Sequence, residues 1–165
     1  MRWPIIVVLL LVASLNAPAQ QKPTTVQTST AVCTFADGNQ VTVRFPALPT
    51  PKEDLRKGEA WPPKSSPVYL FTSSGVAVGD STIQPGAFSI YLIPGKETWT
   101  LVINKSVAPD TPYDHSQDLA RHPMQIGQLS NSESFDIAFA QVAPKQCNMR
   151  IYYGKVGAWA EFKEK

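Results

Sequence analysis

The chain is poor in the residues that most often carry chemistry. It has two histidines and two cysteines, and no C-x-x-C pair. A structural zinc site needs four Cys or His ligands in tight local spacing, so none is expected. Charge of one sign is also missing. Fifteen Lys and Arg stand against thirteen Asp and Glu, with no long run of either. A groove for nucleic acid needs a marked basic excess, so that class of partner is excluded. Only one long apolar run exists, at the N-terminus, and no helical 3.6-residue apolar stripe follows it. No G-x-S-x-G motif occurs, and no segment repeats.

The N-terminal run reads as an address. Arg2 supplies a positive start, residues 5–15 an apolar stretch, and Ala17-Pro18-Ala19 a cleavage pattern before Gln20. Eleven residues fall short of the ~20 that span a bilayer, so we expect an export signal over 1–19 and no membrane anchor. The mature chain, residues 20–165, then carries a net charge of about +1. We expect it in the periplasm or the medium. In that oxidising setting, Cys33 and Cys147 are expected to pair as a disulfide on neighbouring strands. Both sit on the apolar phase of their segments, Cys33 with Phe35 and Cys147 with Met149 and Ile151.

What is abundant is proline, fifteen residues, and two-residue alternation. Residues 20–30 are polar and read as a flexible leader before a single β domain over 31–165. Residues 31–45 read as a hairpin. A three-residue loop at Asp37-Gly38-Asn39, with Asn39 left-handed, sets Phe35 opposite Val41 and Cys33 opposite Val43. That register gathers the apolar side chains on one face, where a slip of one residue would scatter them. Residues 46–67 hold six prolines and read as an irregular crossover with at most one helical turn at 52–57. Short strands follow at 68–71 and 76–78. Then Phe88, Ile90 and Leu92 alternate, as do Trp99, Leu101 and Ile103, with turn chemistry at Pro85-Gly86 and Pro94-Gly95. Pro123 marks 119–129 as an edge strand. Phe135, Ile137 and Phe139 define another strand, and Cys147, Met149 and Ile151 the next. Gly154-Lys155 reads as a tight turn before the last strand, 156–162. About eight to ten short strands predict an all-β antiparallel sandwich or partly open barrel.

The order of parts resembles the bacterial domain-of-unknown-function family 2911. The residues that carry the likeness are Pro85-Gly86-Ala87-Phe88-Ser89-Ile90-Tyr91, Ile93-Pro94-Gly95, Trp99-Thr100 and Asn104-Lys105, with Asp118 and Arg121 as a looser match. The likeness runs over roughly 41–162. It implies a β-sandwich-like exported protein and brings no catalytic residue. Relatives carry a segment like G-x-x-W-R-x-G-A-N-E where this chain reads Gly58-Glu59-Ala60-Trp61-Pro62-Pro63, so the Arg, Asn and Glu of that segment are absent.

Candidate chemistry is thin. Asp114, His115, Asp118 and His122 are the densest set of possible ligands or catalytic groups. In an extended chain Asp118 and His122 share a face but lie ~13 Å apart. Gly79-Asp80-Ser81 reads as a turn rather than a nucleophile block, because no helix pattern follows it. Asn104-Lys105-Ser106 matches a glycosylation acceptor. Trp99 falls on the core phase. Tyr91, Tyr152 and Trp159 fall on the opposite phase and, with Trp61 in the crossover, are the candidate ligand-binding residues. The reading is therefore a non-catalytic module with no metal and no cofactor. Its partner would be a small molecule, a glycan or an envelope protein. The alternatives are an extracytoplasmic hydrolase using the segment from Asp114 to His122, and a structural envelope protein.

Overall fold

A computed structural model describes residues 27–47, 55–62, 68–109 and 111–165. The expected export signal and the first part of the polar leader lie outside them, as does the first half of the 52–57 turn. Nine strands are present among the described residues: β1 (Thr28–Thr34), β2 (Gln40–Pro46), β3 (Val68–Thr72), β4 (Val76–Val78), β5 (Ser81–Ile83), β6 (Gly86–Ile93), β7 (Trp99–Asn104), β8 (Asp118–Ala143) and β9 (Gln146–Glu164). The last residues of the expected leader, Thr28 to Thr30, are part of β1. A single 3-10 turn at His115–Gln117 precedes β8.

The strands form one antiparallel sheet in the order β1-β2-β3-β6-β7-β8-β9-β4-β5, not closed into a barrel. The sheet curls over on itself. Cys33 on β1 and Cys147 on β9 are disulfide-bonded with Cα atoms 6.5 Å apart, and the rings of Phe45 on β2 and Phe135 on β8 meet edge to face at 5.7 Å. The two cysteines are therefore not on neighbouring strands as expected. β1 and β9 stand first and seventh in the sheet, and the bond crosses its folded interior. Alternation supplies that interior: Val41, Val43, Leu70, Ile90, Leu101, Ile103, Met149 and Phe162 are all fully buried. An aromatic chain runs through it, from Phe135 to Trp61 at 4.5 Å and from Trp61 to Tyr153 at 5.8 Å.

The first hairpin differs from expectation by one loop position. Its register sets Cys33 opposite Val41 and Ala31 opposite Val43. The loop is Ala36-Asp37-Gly38, closed by the Phe35 amide on the Asn39 carbonyl at 2.8 Å. Gly38, at φ 92°, holds the left-handed position expected of Asn39; glycine has no Cβ to oppose it. The observed and expected registers differ by two residues, so the same side chains face the core.

Two other corrections concern β8 and β9. The stretch 119–129 is no separate edge strand; it opens the 26-residue β8, which lies between β7 and β9. Pro123 is tolerated because residues 118–124 pair with β7 alone, whereas pairing with β9 begins at Gln125. The expected turn at Gly154-Lys155 is also absent, and β9 runs through it. Gly154, at φ 57°, sits opposite Ser132 where the β8–β9 register shifts. A bulge and a turn both call for a residue with positive φ, so glycine alone does not distinguish them. Across this irregularity the buried phase of β9 changes from Cys147, Met149, Ile151 and Tyr153 to Ala158, Ala160 and Phe162. The chain reverses instead at Pro144-Lys145.

Candidate functional site: a signature latch and an aromatic groove

Two polar regions stand out, on different parts of the sheet. The first is built by β7, β8 and the loop between them. The register sets Ser89 beside Asn104 and Asn104 beside Asp118, and in the next row Tyr91 beside Val102 and Val102 beside Arg121. These residues lie on the face opposite the core, yet Asn104 and Val102 are completely buried and Ser89 and Tyr91 nearly so. The loop 105–117 covers them.

The loop is held by a dense set of bonds. Asn104 Nδ2 donates to the Asp114 carbonyl at 2.8 Å and to Asp118 Oδ1 at 2.9 Å, while its Oδ1 accepts from the Ser106 amide at 2.9 Å. Ser89 Oγ donates to the Ser106 carbonyl at 2.6 Å. Tyr113 Oη donates to Asp118 Oδ2 at 2.6 Å, and Arg121 Nη1 donates to both that oxygen and Tyr113 Oη at 2.7 Å. The Tyr113 ring tilts against Tyr91 at 4.8 Å. Every polar atom of the Asn104 amide is satisfied inside the fold, which makes the residue a latch and leaves no room for a glycan at the acceptor motif.

Burial, and then the bond to the Asp118 carboxylate, pushes the Tyr113 hydroxyl from an ordinary value of 10.0 up to about 12. A group with a raised folded value contributes stability that is full below its unfolded value and lost as pH rises through the folded one. The stability of the native protein should therefore fall between pH 10 and 12 from this group. Alkaline unfolding followed by circular dichroism, with tyrosinate absorbance in parallel, checks it: Tyr113→Phe should flatten the decline across that window. An unchanged decline would place the titration elsewhere.

The second region lies where the sheet forks. Gln125 and Trp159 form the last β8–β9 pair at this end. Beyond it β8 continues beside β7, while the end of β9 pairs with β4. The fork opens a cleft of about 910 Å³ that includes Glu97, His122, Glu161, Lys163 and Lys165. His122 packs on the β4–β5 turn, where a Cβ at Gly79 would lie 2.3 Å from its Nδ1. A groove of about 370 Å³ adjoins it, lined by Gln128, Leu129, Asn148, Arg150, Tyr152 and Trp159 among others; Asn148 and Trp159 belong to both.

Trp159 is the fixed element of this groove. Its indole N–H donates to Gln125 Oε1 at 2.9 Å. Its ring lies against Gly127, where a Cβ would come within 3.3 Å of it. The ring is half-buried and borders both the fork cleft and the groove.

The four candidate aromatic residues thus separate. Tyr152 and Trp159 share the groove. Tyr91, expected to face solvent or a cleft, is buried under the 105–117 loop, with its hydroxyl raised above the usual range by that burial. Trp61 extends the sheet beside β6 past the end of β3, exchanging two backbone bonds with Leu92, and turns its ring into the aromatic interior. Arg150, Asn148 and Gln125 were not singled out from the sequence; a two-residue phase count outward from Trp159 and Tyr152 would have found the first two.

Asp114, His115, Asp118 and His122 do not converge. Asp114 accepts from Ser116 and is held below the usual carboxylate range by those bonds. His115 is exposed beside it, Asp118 is engaged in the latch, and His122 lies in the fork. No three His, Cys, Asp or Glu among the described residues are grouped to hold a metal ion.

The fold and these sites define a class: an all-β protein of one curled antiparallel sheet, with a latched loop on one part and an open groove on another. The chain belongs to the family described as Protein of unknown function (DUF2911), whose pattern matches residues 64–162. That span begins later than the expected 41, so β1, β2 and Trp61 stand outside it. No curated protein and no solved structure matches the chain.

Proposed function

We propose that the protein is an exported, non-catalytic binding module whose ligand lies in the groove against Trp159. The observation that carries this is the held ring: Gly127 lies close to its edge, Gln125 holds the N–H, and the ring lines a groove that also carries polar side chains. Small-molecule sites combine aromatic walls with a few placed polar groups, and a ring already fixed loses little freedom on binding. The export part rests on the N-terminal signal pattern and the disulfide. Among the described residues no helix is long and apolar enough to cross a membrane.

The test is a thermal-shift screen of residues 20–165 against oligosaccharides, short peptides and aromatic small molecules, with Trp159→Ala in parallel. A ligand at a hundredfold excess over its Kd stabilises by about 2.7 kcal/mol, a shift of several degrees for a domain of this size. We expect shifts of that order in the native chain and none in Trp159→Ala. Hits that persist undiminished in the variant contradict the assignment of the groove.

A further inference from the structure

We infer that the groove is shaped for an acidic saccharide, a pyranose carrying a carboxylate. This rests on the reading of the Trp159 groove as the binding site and names its ligand class. Among the described residues Arg150 is the only charged one lining the groove, and no carboxylate lines it. Arg150 is exposed and has no ion pair or hydrogen bond among the described residues. An unengaged guanidinium and an indole on the lining of one groove present two complementary surfaces. The C–H face of a pyranose stacks on the aromatic plane, and a ring carboxylate meets the planar fork of donors in bidentate fashion. The amides of Asn148 and Gln128, on the same lining, match hydroxyl groups, since each offers both donor and acceptor. The larger fork cleft gives no such sign, because Glu97 and Glu161 there offset Lys163 and Lys165. Charge complementarity therefore assigns the acid group of the ligand to the Arg150 end and the sugar ring to Trp159.

Isothermal titration of residues 20–165 with trigalacturonate and with uncharged galactotriose tests this. Trigalacturonate should bind at least about tenfold tighter, the factor expected of one charge-assisted hydrogen-bonded pair. Arg150→Gln should remove the preference for the acid, bringing the two affinities together, and should fold as the native chain does because the residue is exposed. Trp159→Ala should abolish both, and rising salt should weaken only the acidic sugar. Equal affinity for the two sugars, or an Arg150→Gln variant that still prefers the acid, overturns the acidic-sugar inference and leaves the binding module standing. So does binding of neither sugar when the thermal-shift screen yields Trp159-dependent peptides or aromatic molecules. Binding of neither sugar together with no Trp159-dependent hit of any kind overturns both.

Discussion

Replacing Cys33 and Cys147 together by alanine should lower stability by about 4–5 kcal/mol at most, which for a domain of this length is a midpoint drop of roughly 10–20 °C. The size follows from the loop the bond closes. The cysteines are 114 residues apart, so the cross-link removes a large share of the freedom of the unfolded chain. The location adds a local effect. Cys33 lies outside the family-matched span and Cys147 within it, so the bond joins the β1–β2 hairpin to the rest of the sheet. A reducing agent should lower the midpoint of the native chain by a similar amount and leave the alanine pair unmoved. Mass spectrometry of the unreduced protein should show two hydrogens fewer than the sequence requires. Two alkylatable thiols in the undenatured, unreduced protein would contradict this.

Asp118→Ala should be the next most damaging change, costing about 2–4 kcal/mol by loss of a buried, hydrogen-bonded carboxylate. The Asp118 side chain is only 8 % exposed and receives Asn104, Tyr113 and Arg121 together. Its removal takes an acceptor from the Asn104 amide beneath the 105–117 loop and from the Tyr113 hydroxyl within that loop. Arg121 is 48 % exposed and can return to water, so Arg121→Ala should cost about 1 kcal/mol or less. Asn104→Ala should fall between the two. Denaturant unfolding of the three variants gives the order. An Arg121→Ala variant as unstable as Asp118→Ala would show that the exposed ion pair, rather than the buried network, holds the loop.

The parts of this fold that are legible in the sequence are those decided by neighbours along the chain. Phe88, Ile90 and Leu92 against Trp99, Leu101 and Ile103 specify β6 and β7, because alternation over a short span has one burial solution. The turn at Pro94-Gly95 is equally local: a Cβ on Gly95 would lie 2.3 Å from the Thr98 carbonyl oxygen. What resists reading is set at long range. Pro123 and Gly154 look like breaks, yet one lies where β8 has a partner on one side only and the other sits within β9, opposite the irregular stretch of β8 at Ser132. β5 is three residues long, too short for a period. Tyr91 has the phase of a solvent-facing residue, and its burial comes from a loop that alternation does not place.

The same distinction runs through the sites. The family resemblance picked out Asn104, Asp118 and Arg121, but not Tyr113, which reaches them from a polar loop. Their convergence assigns the recurring residues to structure. The groove lies on β8 and β9, strands whose bends come from bulges that spacing alone does not reveal.

Hydrogen–deuterium exchange of native protein and Asn104→Ala, under native conditions, tests most directly whether the signature residues form a latch separate from the groove. The amides of Lys105, Ser106 and Gln117, bonded to Gln117, Asn104 and Asp114 respectively, report the loop. The variant should exchange faster at these positions and at the covered strands β6 and β7, while the β8–β9 pairs around Trp159 keep their protection relative to the global limit. Unchanged protection in the loop, or an equal loss of protection around Trp159, would contradict the division of the molecule into a latch and a binding groove.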